Sequence, residues 1–188
     1  MRKILNHPNL VGKDCSYDGS GKFIALNELF EQLGFREEES LIQNKVIIFS
    51  RSTSTIELLE KLFMTQLYPK LKYTKLTAAV KASERFMVAQ NFNGDNDIKV
   101  LLVTTSVGGE GLNLTSANTV IMFDHDYNPT VDMQAIDRAH RIGQKRVLNV
   151  YRLITKDTLE ERIMGIQKFK KNLAEAIVNI DNSSIKNI

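Results

Sequence analysis

Short apolar runs rich in β-branched residues constrain the fold of this chain more than any other feature. Val46-Ile47-Ile48-Phe49 is one such run, and residues 98–104 and 119–123 form two more. Such runs are typical of strands covered on both faces, as in a parallel sheet. Weaker strand patterns lie near residues 73–76 and 147–154, and helical patterns separate the strands. The alternation predicts an α/β fold, a parallel sheet flanked by helices.

Two capping boxes predict where helices begin. Ser54 is followed three residues later by Glu57, and Thr158 by Glu161. A further helix is expected over residues 83–92. The helix after Thr158 carries an apolar stripe at helical spacing. Its members are Leu159, Ile163, Ile166, Phe169, Leu173 and Ile177. We expect this helix to pack back on the sheet domain.

Composition argues against a transmembrane or disulfide-rich protein, but it does not by itself identify the class to which this chain belongs. The 188 residues, 43% of them hydrophobic, suit one globular domain with appendages. The net charge of +3 leans towards a nucleic-acid partner without establishing one. The single cysteine, Cys15, cannot form an internal disulfide, which suits a reducing compartment. No apolar run is long enough for a transmembrane helix, and the first residues lack a secretory signal.

The segment from Asn128 to Gly143 reads as one helix with both ends marked. Asn128 can cap it, Pro129 suits the first helical position, and Gly143 suits the end. An apolar stripe at helical spacing would bury one face. It consists of Val131, Ala135, Ala139 and Ile142.

Three polar side chains line up beside that stripe, namely Gln134, Arg138 and Arg141. Two guanidiniums at the edge of a buried face favour a bound anion, since arginine offers phosphate a planar fork of donors. A helix with solvated arginines fits the spacing equally well.

The sequence QAIDRAHRIGQ resembles motif VI of the Swi/Snf-type ATPases in helicase superfamily two. An eleven-residue match is far more specific than a short pattern. The resemblance implies that Arg138 and Arg141 are catalytic fingers, which reach the ATP γ-phosphate held by the other ATPase lobe. It also implies that Gln144, which closes the motif, lies in the nucleotide-binding region.

The sequence TTSVGGEGLNLTSA is similar to motif V of the same family. Its hydroxyls, and glycines that allow close backbone approach, could form an anion-binding concavity, although glycine-rich turns are also common structural features. The resemblance implies DNA-backbone contacts and nucleotide contacts. The DNA group is Thr105, Ser106, Gly108 and Gly109, and the nucleotide group is Gly111 and Asn113. Glu110 departs from the small or apolar residue usual in the family.

The loop after the first apolar strand resembles motif IV of the family. Ser50 and Arg51 follow that strand at its carboxyl end, where open α/β sheets place ligands. The resemblance implies that both contact DNA. The family more usually has glutamine at position 51, so Arg51 would add a phosphate contact.

Two other patterns resemble binding motifs, but neither predicts a binding site. GSGK, which ends at Lys22, is not a phosphate-binding loop, because Phe23 replaces the Mg²⁺-binding Ser or Thr. In the family this sequence opens a helix instead. Asp124-His125-Asp126 lacks further ligands at metal-binding spacing, so no metal site is predicted.

The resemblance covers nearly the whole chain but only the second of the family's two RecA-like lobes. It implies a lead-in loop and helix at 1–40, the helicase C-terminal lobe at 41–155, and a brace helix with tail at 156–188. The chain has no Walker A loop and no D-E-x-H motif. ATP and Mg²⁺ would therefore be held by a first lobe of the same protein, and this chain alone would be inactive.

The stretches IMGIQKFK and DNSS resemble the subfamily that strips TATA-box-binding protein from promoter DNA. The expected partners are double-stranded DNA, the first lobe and TATA-box-binding protein, in the nucleus and away from membranes. A nucleosome remodeller of the same family and a non-catalytic nucleic-acid-binding scaffold remain alternatives, whereas a complete small NTPase is disfavoured by the missing phosphate loop.

Overall fold

The computed structural model describes residues 2–36, 43–108 and 111–185, with side chains described as far as Leu173. Within this part of the chain, no helix is both long and apolar enough to cross a membrane.

Within the described residues, five strands form one parallel sheet in the order β2-β3-β1-β4-β5. The strands are β1 (Val46–Ser50), β2 (Tyr73–Leu76), β3 (Val100–Thr104), β4 (Thr119–Met122) and β5 (Asn149–Arg152). The central strand β1 pairs on both sides, so that Ile48 lies opposite Leu102 and Ile121. All five predicted strands are present, and the prediction of a parallel α/β sheet is confirmed.

Helices connect the strands and cover both faces of the sheet. They are α1 (Arg2–Asn6), α2 (Gly21–Gln32), α3 (Thr53–Leu58), α4 (Thr65–Leu67), α5 (Ala82–Gly94), α6 (Thr105–Gly108), α7 (Pro129–Ile136) and α8 (Leu159–Ile185). A π-helical turn at Leu59–Met64 joins α3 to α4, and 3-10 turns occupy Pro8–Val11 and Tyr17–Gly19.

The sheet separates two hydrophobic layers, because successive strand residues point to opposite faces. Ile48 belongs to the layer that holds the aromatic side chains of α2, where Phe23 meets Phe123 edge-on with ring centroids 5.5 Å apart. Ile47 and Phe49 face the other layer, which includes residues of α5 and α7. The lead-in helix α2 thus shares a core with the sheet. The division of the chain into a lead-in segment, a lobe and a brace helix, with boundaries at residues 40 and 155, remains a prediction.

One of the two predicted capping boxes is wrong. Helix α3 begins at Thr53 with Ser52 as its N-cap, and the Ser54 hydroxyl lies 2.6 Å from that of Ser52. Only Arg51 and Ser52 separate β1 from α3, so the chain enters the helix before Ser54 can cap it.

The second predicted helix start is confirmed. The Thr158 hydroxyl accepts from the Glu160 N–H at 3.2 Å, and the Glu161 carboxylate accepts from the Asp157 N–H at 3.0 Å. The stripe of α8 is buried at Ile163, whereas Phe169 is 67% exposed. Among the residues whose side chains are described, burial of α8 against the sheet domain extends as far as Gln167.

Lys22 is a structural residue at the start of α2. Its ammonium donates to Asn6 Oδ1 at 3.1 Å and to the Phe123 carbonyl at 2.8 Å, and it pairs with Glu160 of α8. Ser20 is the N-cap of α2. The interpretation of this sequence as a helix start is confirmed, and Lys22 is buried rather than open to a phosphate.

Candidate functional site

The helix that was predicted from Asn128 to Gly143 is shorter in the structure. Its start is as predicted, since Asn128 Oδ1 accepts from the Thr130 N–H at 3.2 Å and Pro129 takes the first position. However, α7 ends at Ile136 after eight residues. Arg138 and Arg141 therefore lie in turns beyond the regular helix, and the prediction of one continuous helix is wrong.

A contact with another part of the chain explains the early end. The Arg138 carbonyl accepts from the Leu114 N–H at 2.9 Å. In a continuing α-helix that carbonyl would accept from the N–H four residues later, at Ile142. The turns after α7 use shorter-range bonds instead, such as Ala139 N–H to Ile136 O at 3.0 Å. Gly143 closes the segment with a left-handed φ of 107°.

The early end of α7 also changes which side chains are buried. Ala135 and Ala139 are fully buried, as the predicted stripe requires. Ile142 is fully exposed, so the stripe is wrong at this position. The reason is that the turns rotate Ile142 away from the face that a regular helix would have presented.

The turns hold the arginine segment against the GLNL part of motif V. Arg141 is exposed, and its Nη1 donates to the Gly111 carbonyl at 3.2 Å. Arg138 is half-buried and bonds to Leu114 through its main chain. Asn113 has an exposed side chain, and its carbonyl accepts from Asn93 Nδ2 at 2.7 Å. Gly111, Arg138 and Arg141, predicted separately from two motifs, are thus neighbours.

Gln144 lies at the end of this segment with its amide engaged inside the protein. Its Nε2 donates to the carbonyls of Ala117 at 2.7 Å and Ala139 at 3.2 Å. Its Oε1 accepts from the Arg146 N–H at 3.0 Å. Gln144 therefore ties the turns to the chain entering β4, and a nucleotide contact from this side chain stays a prediction.

The motif IV residues lie at the carboxyl ends of the strands, around the buried carboxylate of Asp124. Ser50 is fully buried, and its hydroxyl donates to Asp124 Oδ2 at 2.9 Å. The Arg51 N–H donates to Asp124 Oδ1 at 2.7 Å, and Asn6 Nδ2 donates to Oδ2 at 2.8 Å. Burial raises the pKa of Asp124, although the bonds from Asn6 and Ser50 oppose that shift. The Ser50 hydroxyl faces inwards.

Arg51 forms an ion pair at the same edge. Its Nε lies 2.6 Å from Asp126 Oδ2, and its side chain is 35% exposed. A phosphate would have to share this guanidinium with Asp126, so the DNA contact of Arg51 stays a prediction.

The start of motif V lies beside Ser50, because Ser50 and Thr104 are register partners on β1 and β3. The next residues form the short helix α6, in which Thr105 is buried and Ser106 is exposed. Gly108 ends that helix. Gly109 and Glu110 lie outside the described residues. Ser106, like Asn113 of the same motif, is exposed to solvent.

One polar cluster was missed by the sequence analysis. Asp132 in the first turn of α7 is fully buried, with Gln167 Nε2 at 2.9 Å, Arg152 Nη1 at 3.3 Å and His125 Nδ1 at 3.5 Å from its Oδ2. The sequence feature that could have indicated this cluster is Asp132 itself, a carboxylate on an otherwise apolar side of the helix. In the part of the chain that the structure describes, no three His, Cys, Asp or Glu residues are grouped as metal ligands.

Comparison with known proteins gives a consistent result. A family model described as "Helicase conserved C-terminal domain" matches residues 21–143. "TATA-binding protein-associated factor 172" of Homo sapiens is 47% identical, covering 100% of this chain and 12% of the relative. "TATA-binding protein-associated factor MOT1" of Saccharomyces cerevisiae is 40% identical, and the match covers 98% of this chain and 12% of the relative. "Chromatin-remodeling ATPase INO80" of Homo sapiens is 42% identical, covering 92% and 10%.

Among solved structures, the C-terminal part of the Fun30 ATPase domain superposes with a TM-score of 0.71 at 37% sequence identity. The match covers 80% of this chain and 46% of that one. The chain thus spans about an eighth of the curated relatives it matches. The resemblance drawn from motifs IV, V and VI and the RecA-like fold are both confirmed.

Proposed function

This chain belongs to the family of helicase conserved C-terminal domains, and on that premise we propose that it is the second lobe of a DNA-translocating ATPase. The observation that carries the proposal is the bond from Arg141 to the Gly111 carbonyl. It joins the predicted finger segment to the predicted nucleotide segment. If the two arginines were simply solvated on a surface helix, Arg141 would not need this contact with motif V. The contact therefore favours the interpretation of Arg138 and Arg141 as fingers over the interpretation as solvated arginines.

In this proposal ATP is bound between two lobes, with Mg²⁺ held by the first. The exposed guanidinium of Arg141 and the half-buried Arg138 suit an anionic γ-phosphate, because both are permanently charged planar donors. Bound ATP would supply the phosphoryl group that is transferred to water. The two arginines would stabilise the charge that develops on that group once the lobes close. The chain alone would be inactive.

Double-stranded DNA would bind along the carboxyl ends of the strands. Ser106 is exposed there, Arg51 is partly exposed, and Ser50 and Thr105 support the loops from inside. Gly108 would let the backbone approach a phosphate closely. We assign Gly109 the same role. Contacts of this kind hold the sugar–phosphate backbone and carry no sequence preference.

We further propose that the whole protein acts in the nucleus and removes TATA-box-binding protein from promoter DNA. The support is that relatives named TATA-binding protein-associated factors match essentially the whole chain. A nucleosome remodeller is the second candidate, favoured by the 42% identity to "Chromatin-remodeling ATPase INO80".

One experiment separates these two functions. Full-length protein and ATP are added in parallel to a TATA-box-binding protein–DNA complex and to an end-positioned nucleosome, and both are followed by gel shift. We expect release of the first and no movement of the second. Nucleosome sliding without release would instead support the remodeller.

A further inference from the structure

We propose that Gln167 of α8 is a positioning residue, which sets the position of α7 and through it that of the segment from Arg138 to Arg141. This inference rests on the proposed function of the two arginines. Gln167 itself does not reach the reacting atoms.

The side chain of Gln167 joins three parts of the fold. It is 7% exposed, and its Nε2 donates to Asp132 Oδ2 at 2.9 Å and to the Asp126 carbonyl at 2.5 Å. Its Oε1 lies 3.4 Å from Arg152 Nη1. One amide therefore connects α8 with the loop before α7, the first turn of α7 and β5. Because each hydrogen bond is directional, this bridge fixes the relative orientation of these elements more closely than apolar packing alone would.

Asp132, the hydrogen-bond partner of Gln167, has no contact with solvent, so water cannot readily replace a lost donor. Asp132 is fully buried, and its Oδ1 accepts from the Asp126 N–H at 3.2 Å. Burial alone would raise the pKa of Asp132, but the neighbouring His125 ring and the hydrogen bonds from Gln167 and the Asp126 N–H outweigh it and lower the pKa. A buried carboxylate that loses a donor must find another, so its backbone shifts or water enters.

A shift at Asp132 would be passed on to the arginines. Helix α7 has eight residues, and Arg138 lies two residues beyond its end. A hydrogen-bonded helix this short moves as one body. The turns that follow α7 are tied to motif V by the Leu114–Arg138 bond, so a tilt of α7 at Asp132 strains that link and changes how the arginines approach a nucleotide. Displacements on the order of 1 Å at a catalytic group can cost about 10²-fold in rate.

The test uses Gln167→Met in the full-length, two-lobed protein, because methionine retains the length and the packing but donates no hydrogen bond. Lys168→Met, at the exposed neighbouring position, is the matched control. We expect kcat for DNA-stimulated ATP hydrolysis to fall about tenfold, an intermediate loss for a group that acts through another. KM for ATP and DNA affinity should stay close to wild type, and the thermal midpoint should fall only slightly, because Asp132 keeps its bonds from the Asp126 N–H and Arg152. The control should be unchanged in all four measurements.

A second pair of variants distinguishes positioning from simple support of the fold. Exchanging the partners, with Asp132→Asn and Gln167→Glu together, keeps one amide opposite one carboxylate and should recover part of the kcat that Gln167→Glu alone loses. A kcat loss that follows a lowered thermal midpoint and is not recovered by the exchange would overturn the proposal.

The Arg141→Ala background separates this proposal from the proposed function. If Gln167 acts through the arginine segment, Gln167→Met should lower kcat by less than twofold when Arg141 is already alanine. Full additivity overturns the positioning role, even if Arg141→Ala by itself lowers turnover on the order of 10³-fold. Normal turnover in Arg141→Ala would instead contradict the finger assignment.

Discussion

The guanidinium of Arg141 donates to the carbonyl oxygen of Gly111 over 3.2 Å. A neutral carbonyl orients the guanidinium without cancelling its charge. In the part of the chain that the structure describes, no carboxylate forms an ion pair with Arg141. The side chain is therefore held in place and keeps its full charge for an anionic partner.

The first prediction concerns this arginine pair. In the two-lobed protein, Arg138→Ala and Arg141→Ala should each lower single-turnover ATP hydrolysis on the order of 10³-fold, the scale of a lost finger. Lysine should not rescue either position, because an ammonium lacks the planar fork. Hydrolysis is measured by rapid quench at saturating DNA.

The control for the arginine variants is DNA affinity, which should change little because α7 and the buried Ala135 and Ala139 are untouched. Near-normal hydrolysis in both alanine variants would contradict the finger assignment and restore the interpretation of solvated arginines.

The second prediction concerns DNA binding by this chain. It should bind duplex DNA weakly, without sequence preference, and with an affinity that falls steeply with salt. Ser106→Glu places a negative charge at the exposed strand edge and should reduce the affinity several-fold. Fluorescence anisotropy at two salt concentrations measures both effects.

Asn96→Asp serves as the control for DNA binding, since Asn96 is exposed in the loop before β3, at the amino end of that strand. It adds a charge without touching the candidate surface. Equal weakening by both substitutions would mean that net charge, and not the strand edge, governs binding.

The third prediction concerns the buried ion pair of Lys22 and Glu160. Lys22→Met and Glu160→Gln should each lower the free energy of unfolding by about 3–5 kcal/mol, because each leaves a buried charge without its partner. The double variant should be less destabilised than the sum of the two. Urea denaturation of the chain measures all three variants, and strict additivity would argue against coupling.

The fourth prediction concerns Lys45, whose ammonium is buried and donates to the Asp95 carbonyl at 2.8 Å. Burial, together with the charges of Lys99 and Arg146, lowers the pKa of Lys45 to about 8 from 10.5. Between these values the unfolded chain binds more protons, so this group makes stability rise with pH from about 8 to 10.5.

The substitution Lys45→Met tests this rise of stability with pH. The difference in unfolding free energy between wild type and variant should be constant below pH 7 and should shift in favour of wild type between pH 8 and 10. Denaturation midpoints at several pH values measure it. A difference that is flat across this interval would show that the pKa of Lys45 is not lowered.

Local sequence predicted the sheet well because its strands carry their own signal. The run from Val46 to Phe49 is buried on both faces, and short β-branched runs of this kind have few other uses. Helix starts were predicted where the capping residue acts locally, as at Asn128 and Thr158.

The predictions failed where distant contacts decide the geometry. The end of α7 depends on the Leu114 N–H, which lies 24 residues before Arg138 in the chain and has no signature in the helix itself. Likewise, the inward turn of the Ser50 hydroxyl depends on Asp124, a residue from another strand end. Periodicity describes a segment alone and cannot include a partner that only folding supplies.

The Leu114–Arg138 bond has a consequence for how this lobe tolerates genetic change. Both atoms of the bond belong to the main chain, so exchanging either side chain, apart from placing proline at position 114, leaves the link available. Adding or removing one residue between Gly111 and Leu114, or between Ile136 and Arg138, would move the two atoms out of register. Chain length in these two stretches should therefore be far less variable than residue identity, and frame-preserving indels there should be more damaging than most point substitutions.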